Sequence, residues 1–194
     1  MADDTSFARL VSLACHDLRT PLATVHGFAK TLPRVAELEP PADHYLEMIV
    51  TAAGQISELL DELSLAARIE AGRYEPGARE TDTLSLARGA AERLGADRVR
   101  VSGSGEPLET DAEALDRGIS ALVQAALRHG GLDEVAVEVE GRELRVSPVT
   151  AAAAPVVLGE ELRDLGAAVA ARLVERLGGS LAVAGETLTI RLPG

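Results

Sequence analysis

Ala14-Cys15-His16-Asp17-Leu18-Arg19-Thr20-Pro21-Leu22-Ala23 is the stretch on which the fold turns. Around it, apolar residues fall at Phe7, Val11, Ala14, Leu18, Pro21, Val25, Phe28 and Leu32. Their spacing alternates four and three without a break, the heptad signature of a coiled-coil or bundle helix. A second run repeats it at Tyr45, Ile49, Ala52, Ile56, Leu59, Leu63 and Ala66. Between the runs, the prolines of Glu39-Pro-Pro-Ala-Asp interrupt the helix and Asp43 is placed to cap the next one. The spacing thus predicts an antiparallel helical hairpin. A lone hairpin leaves its apolar seams open to water, so two copies are expected to pair as a four-helix bundle.

His16 stands two residues from both Ala14 and Leu18. At about 100° per residue its imidazole lies roughly 200° from that stripe and faces solvent. A neutral imidazole is nucleophilic towards phosphorus and is partly unprotonated near neutral pH. Asp17 is placed to orient the ring or take its proton. Thr20, one turn on, faces the same patch. Pro21 cannot donate to the carbonyl of Asp17, so a bend just past the histidine is expected. The ordinary alternative is a solvated histidine beside a tolerated proline.

Past Gly72-Arg-Tyr-Glu-Pro-Gly77, a linker, the pattern becomes mixed. Helices are expected over Leu84–Leu94, Ala112–His129 and Glu160–Leu177. Short strands are expected at Arg98–Ser102 and Pro107–Thr110, with hairpins at Glu134–Ser147 and Leu181–Leu192. Helices against a largely antiparallel sheet make an α+β sandwich. The expected division is a helical hairpin over 1–74 and an α/β sandwich over 75–194.

Bulk properties narrow the function classes. The net charge of −12 over 194 residues argues against a nucleic-acid partner. A single cysteine, Cys15, cannot form an intramolecular disulfide and suits a reducing compartment. No apolar run is long enough to span a bilayer, and the acidic start does not resemble a signal peptide. A cytoplasmic location is the expectation. His26, His44 and His129 lack metal-ligand spacing.

The string His16-Asp-Leu-Arg-Thr-Pro-Leu22 matches the H-box of sensor histidine kinases, and the two heptad helices resemble their dimerisation and histidine-phosphotransfer domain. The resemblance implies that His16 is the phosphorylated residue and that Asp17 and Thr20 form the acid-x-x-Thr pattern of kinase and phosphatase chemistry. The second half resembles the catalytic ATP-binding domain: Ala121–His129 has the cadence of the N-box helix, and Gly166–Gly179 follows the last helix and its Gly-Gly turn.

The family's nucleotide chemistry does not carry over. The magnesium-holding N-box asparagine aligns with Ala125, which offers no oxygen ligand, and Gln124 stands where an acid is usual. Where an Asp-x-Gly-x-Gly box should follow Val146, the chain reads Ser147-Pro-Val-Thr-Ala-Ala-Ala-Ala. The Gly-rich turn aligns with Leu162-Arg-Asp-Leu-Gly-Ala167, where one glycine remains and Glu160, Glu161 and Asp164 oppose phosphate. Ser147–Leu158 is also short for an ATP lid.

ATP and magnesium sites are therefore expected to be lost. What remains is a dimeric histidine phosphotransferase that passes phosphoryl groups between response-regulator aspartates through His16. Between Ser6 and Arg34 four bases (Arg9, Arg19, Lys30, Arg34) stand against one acid, Asp17, which suits an acidic receiver pocket or merely a solvated face. A sensor kinase with a divergent ATP site, and a non-catalytic pseudokinase that binds a regulator, are the alternatives.

Overall fold

The computed structural model describes residues 2–35 and 40–193. These divide into two compact units, Met1–Arg73 and Tyr74–Gly194. The first is a pair of long helices, α1 (Ala2–Val35) and α2 (Pro40–Glu70). The prolines at 40 and 41 open α2, where a proline in the first turn forfeits no helical hydrogen bond. Asp43 then sits inside the first turn, where its charge favours the helix N-terminus. Helix α1 continues past Pro21 as helix. Glu39 and the side chains of Phe7, Arg9 and Ala14 lie outside the described residues.

The heptad period is present, and within one hairpin a second stripe beside the expected seam is the buried one. Among the described side chains the buried ones are Ala8, Cys15 and Ala29 on α1 and Ala53, Leu60 and Ala67 on α2, spaced at seven or twice seven. These mostly small residues let the two helices approach closely. The larger residues assigned to the seam, Leu18, Val25, Phe28, Leu32, Tyr45, Ile49, Ile56, Leu59 and Leu63, are exposed. Volume sorts the two stripes: small side chains line the contact between α1 and α2, and large ones form an uncovered apolar face.

The second unit is an α/β sandwich. A five-stranded sheet runs in the order β2 (Val99–Gly105), β4 (Val135–Gly141), β5 (Glu143–Ser147), β7 (Thr187–Arg191), β6 (Ser180–Ala184). Strands β2 and β4 are parallel and the other pairs antiparallel. Inward residues alternate along each strand: Val135, Val137, Val139, Leu144, Val146, Leu188 and Ile190 are buried against the helices. Those helices are α3 (Thr83–Leu94), α4 (Ala112–Gly130) and α6 (Leu165–Arg176), with a short α5 (Ala154–Val157).

Strand β1 (Arg79–Asp82) and the short helix α5 were not legible in the sequence, and the expected last helix starts later than its pattern suggested. Strand β1 pairs with β3 (Pro107–Thr110) as a separate ribbon, and its charged residues carry no apolar alternation. Helix α6 begins at Leu165, not at Glu160, because the Asp164 side chain caps it by accepting from the Ala167 N–H at 3.1 Å.

Asp111 caps α4 in the same way and also holds the start of the unit. It accepts from the Ala114 N–H at 3.1 Å, the Tyr74 hydroxyl at 2.7 Å and the Gly77 N–H at 3.3 Å. Burial pushes its carboxyl up, but these hydrogen bonds and the Arg117 charge outweigh burial and hold it below its ordinary range. At the other end of α4, Gly131 adopts φ 62°, the left-handed conformation that closes a helix C-terminus.

Candidate functional site

His16 projects from α1 into solvent with 77% of its side chain exposed, although its neighbour Cys15 is buried between the helices. One step of about 100° separates the two environments. The His16 Nδ1 lies 3.2 Å from Asp17 Oδ1. An ionised carboxylate only accepts, so this contact requires a proton on Nδ1. In the neutral ring the lone pair then resides on Nε2, the outward nitrogen.

Thr20 is exposed on the same helix, and its carbonyl accepts from the Thr24 hydroxyl at 3.1 Å. The structure therefore pairs His16 with Asp17 directly, and Thr20 stands one turn further along the helix. Arg19, three residues past His16, reaches across to α2 and donates from Nη2 to Asp61 Oδ1 at 2.8 Å. Sequence reading noted Arg19 as one base among four. It missed Asp61, since nothing local marks a partner 42 residues away.

In the second unit, the segment between β5 and α6 folds inward. Val149, Ala153, Val156 and Val157 are fully buried in the core with Ala125 and Ala126 of α4. Gln124 is exposed. At the head of α6, Asp164 Oδ2 lies 3.2 Å from both Arg128 Nη1 and His129 Nε2. His129, which the sequence marked only as lacking metal-ligand spacing, is a hydrogen-bond partner of Asp164 with 16% of its side chain exposed. Among the described residues no three His, Cys, Asp or Glu side chains gather as a metal site, and no helix is long and apolar enough to cross a membrane.

An exposed histidine on a helical hairpin thus precedes an α/β sandwich in the chain. The family profile of the His Kinase A (phospho-acceptor) domain matches residues 8–72. The chain belongs to the sensor histidine kinase family.

It is 31% identical over 72 residues to the probable sensor histidine kinase TcrY of Mycobacterium tuberculosis, an alignment covering 37% of this chain and 15% of that protein. It is 30% identical over 188 residues to the histidine protein kinase DivJ of Caulobacter vibrioides, covering 89% of this chain and 30% of DivJ. The chain thus spans less than a third of these relatives. Its fold is similar to that of ShkA, solved full-length in complex with AMPPNP, with a TM-score of 0.68 and 20% identity over 94% of this chain and 44% of that one.

Proposed function

We propose that the chain is a histidine phosphotransferase of two-component signalling that works without ATP. His16 accepts a phosphoryl group from the aspartate of one response-regulator receiver domain and delivers it to another. The His16 Nε2 lone pair attacks phosphorus, the bond to the aspartyl oxygen breaks, and the electron pair returns to that carboxylate. The ring then carries the extra positive charge, and Asp17 at Nδ1 stabilises it or removes the proton. Delivery to the next aspartate reverses these steps. Thr20 belongs to the same patch and would bear on loss of phosphate to water.

The observation that carries the ATP-independent part is the packing of the β5–α6 segment. Where the family resemblance would place a nucleotide box and a mobile lid, Val149, Ala153, Val156 and Val157 are core residues, and Ala125 supplies no cation ligand. Opening that space would expose four apolar side chains and break the Asp164 contacts.

The uncovered face of large apolar residues on α1 and α2 supports a second copy as its occupant. Contiguous exposed apolar surface of this kind marks an interaction site. Helix α1 is richer in bases and α2 in acids, so α1 of one copy suits α2 of the other. The kinase reading has a specific point in its favour, since the relatives matched are named as kinases. Incubation with labelled ATP, and separately with a phosphorylated receiver domain, distinguishes the two: label from the receiver alone supports transfer, and label from ATP supports the kinase.

A further inference from the structure

The ion pair between Arg19 and Asp61 joins α1 to α2 at a point three residues from His16. Residues at i and i+3 are neighbours on a helix surface, about 5–6 Å apart at Cβ. A guanidinium at position 19 therefore reaches either the carboxylate on α2 or a group attached to His16. Both partners of the pair are about half exposed, at 42% and 55%, so neither is locked in place by packing.

Asp17 is the one acid in the basic stretch from Ser6 to Arg34, and it stands directly beside His16. Asp17 already occupies its Nδ1 side, and Arg19 is the only base in α1 between Arg9 and Lys30. A phosphoryl group on Nε2 would bring roughly two negative charges and three acceptor oxygens beside Asp17. It would be a stronger claimant for a guanidinium than one exposed carboxylate, since Arg binds phosphoryl oxygens in bidentate fashion.

We infer that Arg19 is exchanged between partners according to the state of His16: it holds Asp61 when the histidine is free and turns to the phosphoryl group when the histidine is loaded. Loading then releases the tie between α1 and α2 beside the site and leaves Asp61 an uncompensated anion on α2. A receiver domain docking on the hairpin would meet two different surfaces in the two states. The inference rests on the proposal that His16 is the phosphoacceptor.

The test uses the whole chain loaded with phosphoramidate, a small donor that phosphorylates histidine without any regulator. Loading is followed by ³¹P NMR, and the His16→Ala variant identifies the His16 signal among those of His26, His44 and His129. Arg19→Ala, Asp61→Asn and the double variant form a cycle read by urea unfolding at mildly alkaline pH, where phosphohistidine persists. In the free chain the two residues should couple by about two- to fivefold in the unfolding constant, the size of one exposed ion pair.

In the loaded chain that coupling should vanish, and Arg19→Ala should raise the proton affinity of the phosphoryl group by about the same factor in a ³¹P titration. Arg19→Lys, which keeps the charge, should restore part of the shift. Coupling that survives loading, or a titration indifferent to Arg19, would overturn the exchange and leave His16 as phosphoacceptor. If phosphoramidate gives no signal that depends on His16, the phosphoacceptor proposal fails and the exchange with it.

Discussion

His129 Nε2 and Asp164 Oδ2 stand 3.2 Å apart, joining the C-terminal turn of α4 to the residue that caps α6. Arg128 shares the same carboxylate oxygen, and the other oxygen caps the helix. One aspartate thus closes the end of the sandwich at which the family resemblance would place phosphates.

Asp164→Ala should therefore destabilise the second unit. It removes a helix cap and leaves His129 and Arg128 without their shared acceptor, at a cost of about 1–3 kcal/mol. For a unit of this size the melting temperature should fall by about 5–10 °C, measured by calorimetry. An unchanged transition would mean that the contact is ornamental.

Dimerisation is expected through the face of large apolar residues. Light scattering should give twice the chain mass of 20.2 kDa. Leu18→Glu or Ile56→Glu should halve it, since an unpaired charge buried at such a face costs about 3–5 kcal/mol. A monomeric wild type at micromolar concentration would leave those residues without an explanation.

Titration calorimetry with ATP and magnesium should detect no binding up to about millimolar concentration, a free energy no better than about −4 kcal/mol. Ala125→Asn alone should not rescue it, because Val149, Ala153, Val156 and Val157 of the β5–α6 segment are packed in the core beside it. Micromolar affinity in the wild type would favour the kinase reading.

Acid should weaken the second unit through Asp111. Its folded-state carboxyl lies below its ordinary range, so its contribution is fully present above the unfolded value near pH 4 and is lost as pH falls through the folded value. Urea unfolding at pH 7 and pH 3 should show a larger loss for wild type than for Asp111→Asn. Equal losses would show that the contacts from Tyr74, Gly77 and Ala114 carry no proton linkage.

The sequence disclosed the hairpin, the exposure of His16 and most elements of the sandwich, because each rests on periodicity or on short-range turn chemistry. It did not separate the two apolar faces of the hairpin. Two heptad stripes lie side by side on each helix, and hydrophobicity alone favours the larger residues, whereas contact between α1 and α2 favours Ala8, Cys15, Ala53 and Ala67. Asp61 and the role of His129 were hidden because their partners are distant in the chain. The Asp164 cap was the one missed feature with a local sign, an aspartate three residues before Ala167 at the head of an apolar helix.

The most direct test of the central claim is transfer to His16. The full chain, mixed with a phosphorylated receiver domain and no nucleotide, should acquire an acid-labile, base-stable phosphate that a second receiver drains. Asp17→Ala should slow both steps by about 10²-fold or more without abolishing them, as expected for lost proton or orienting assistance. His16→Ala should abolish both while leaving the mass in solution unchanged, because the side chain is exposed and away from the packed seam. Transfer by His16→Ala at the wild-type rate, or label that never reaches His16 from any member of a full receiver set, would contradict the account.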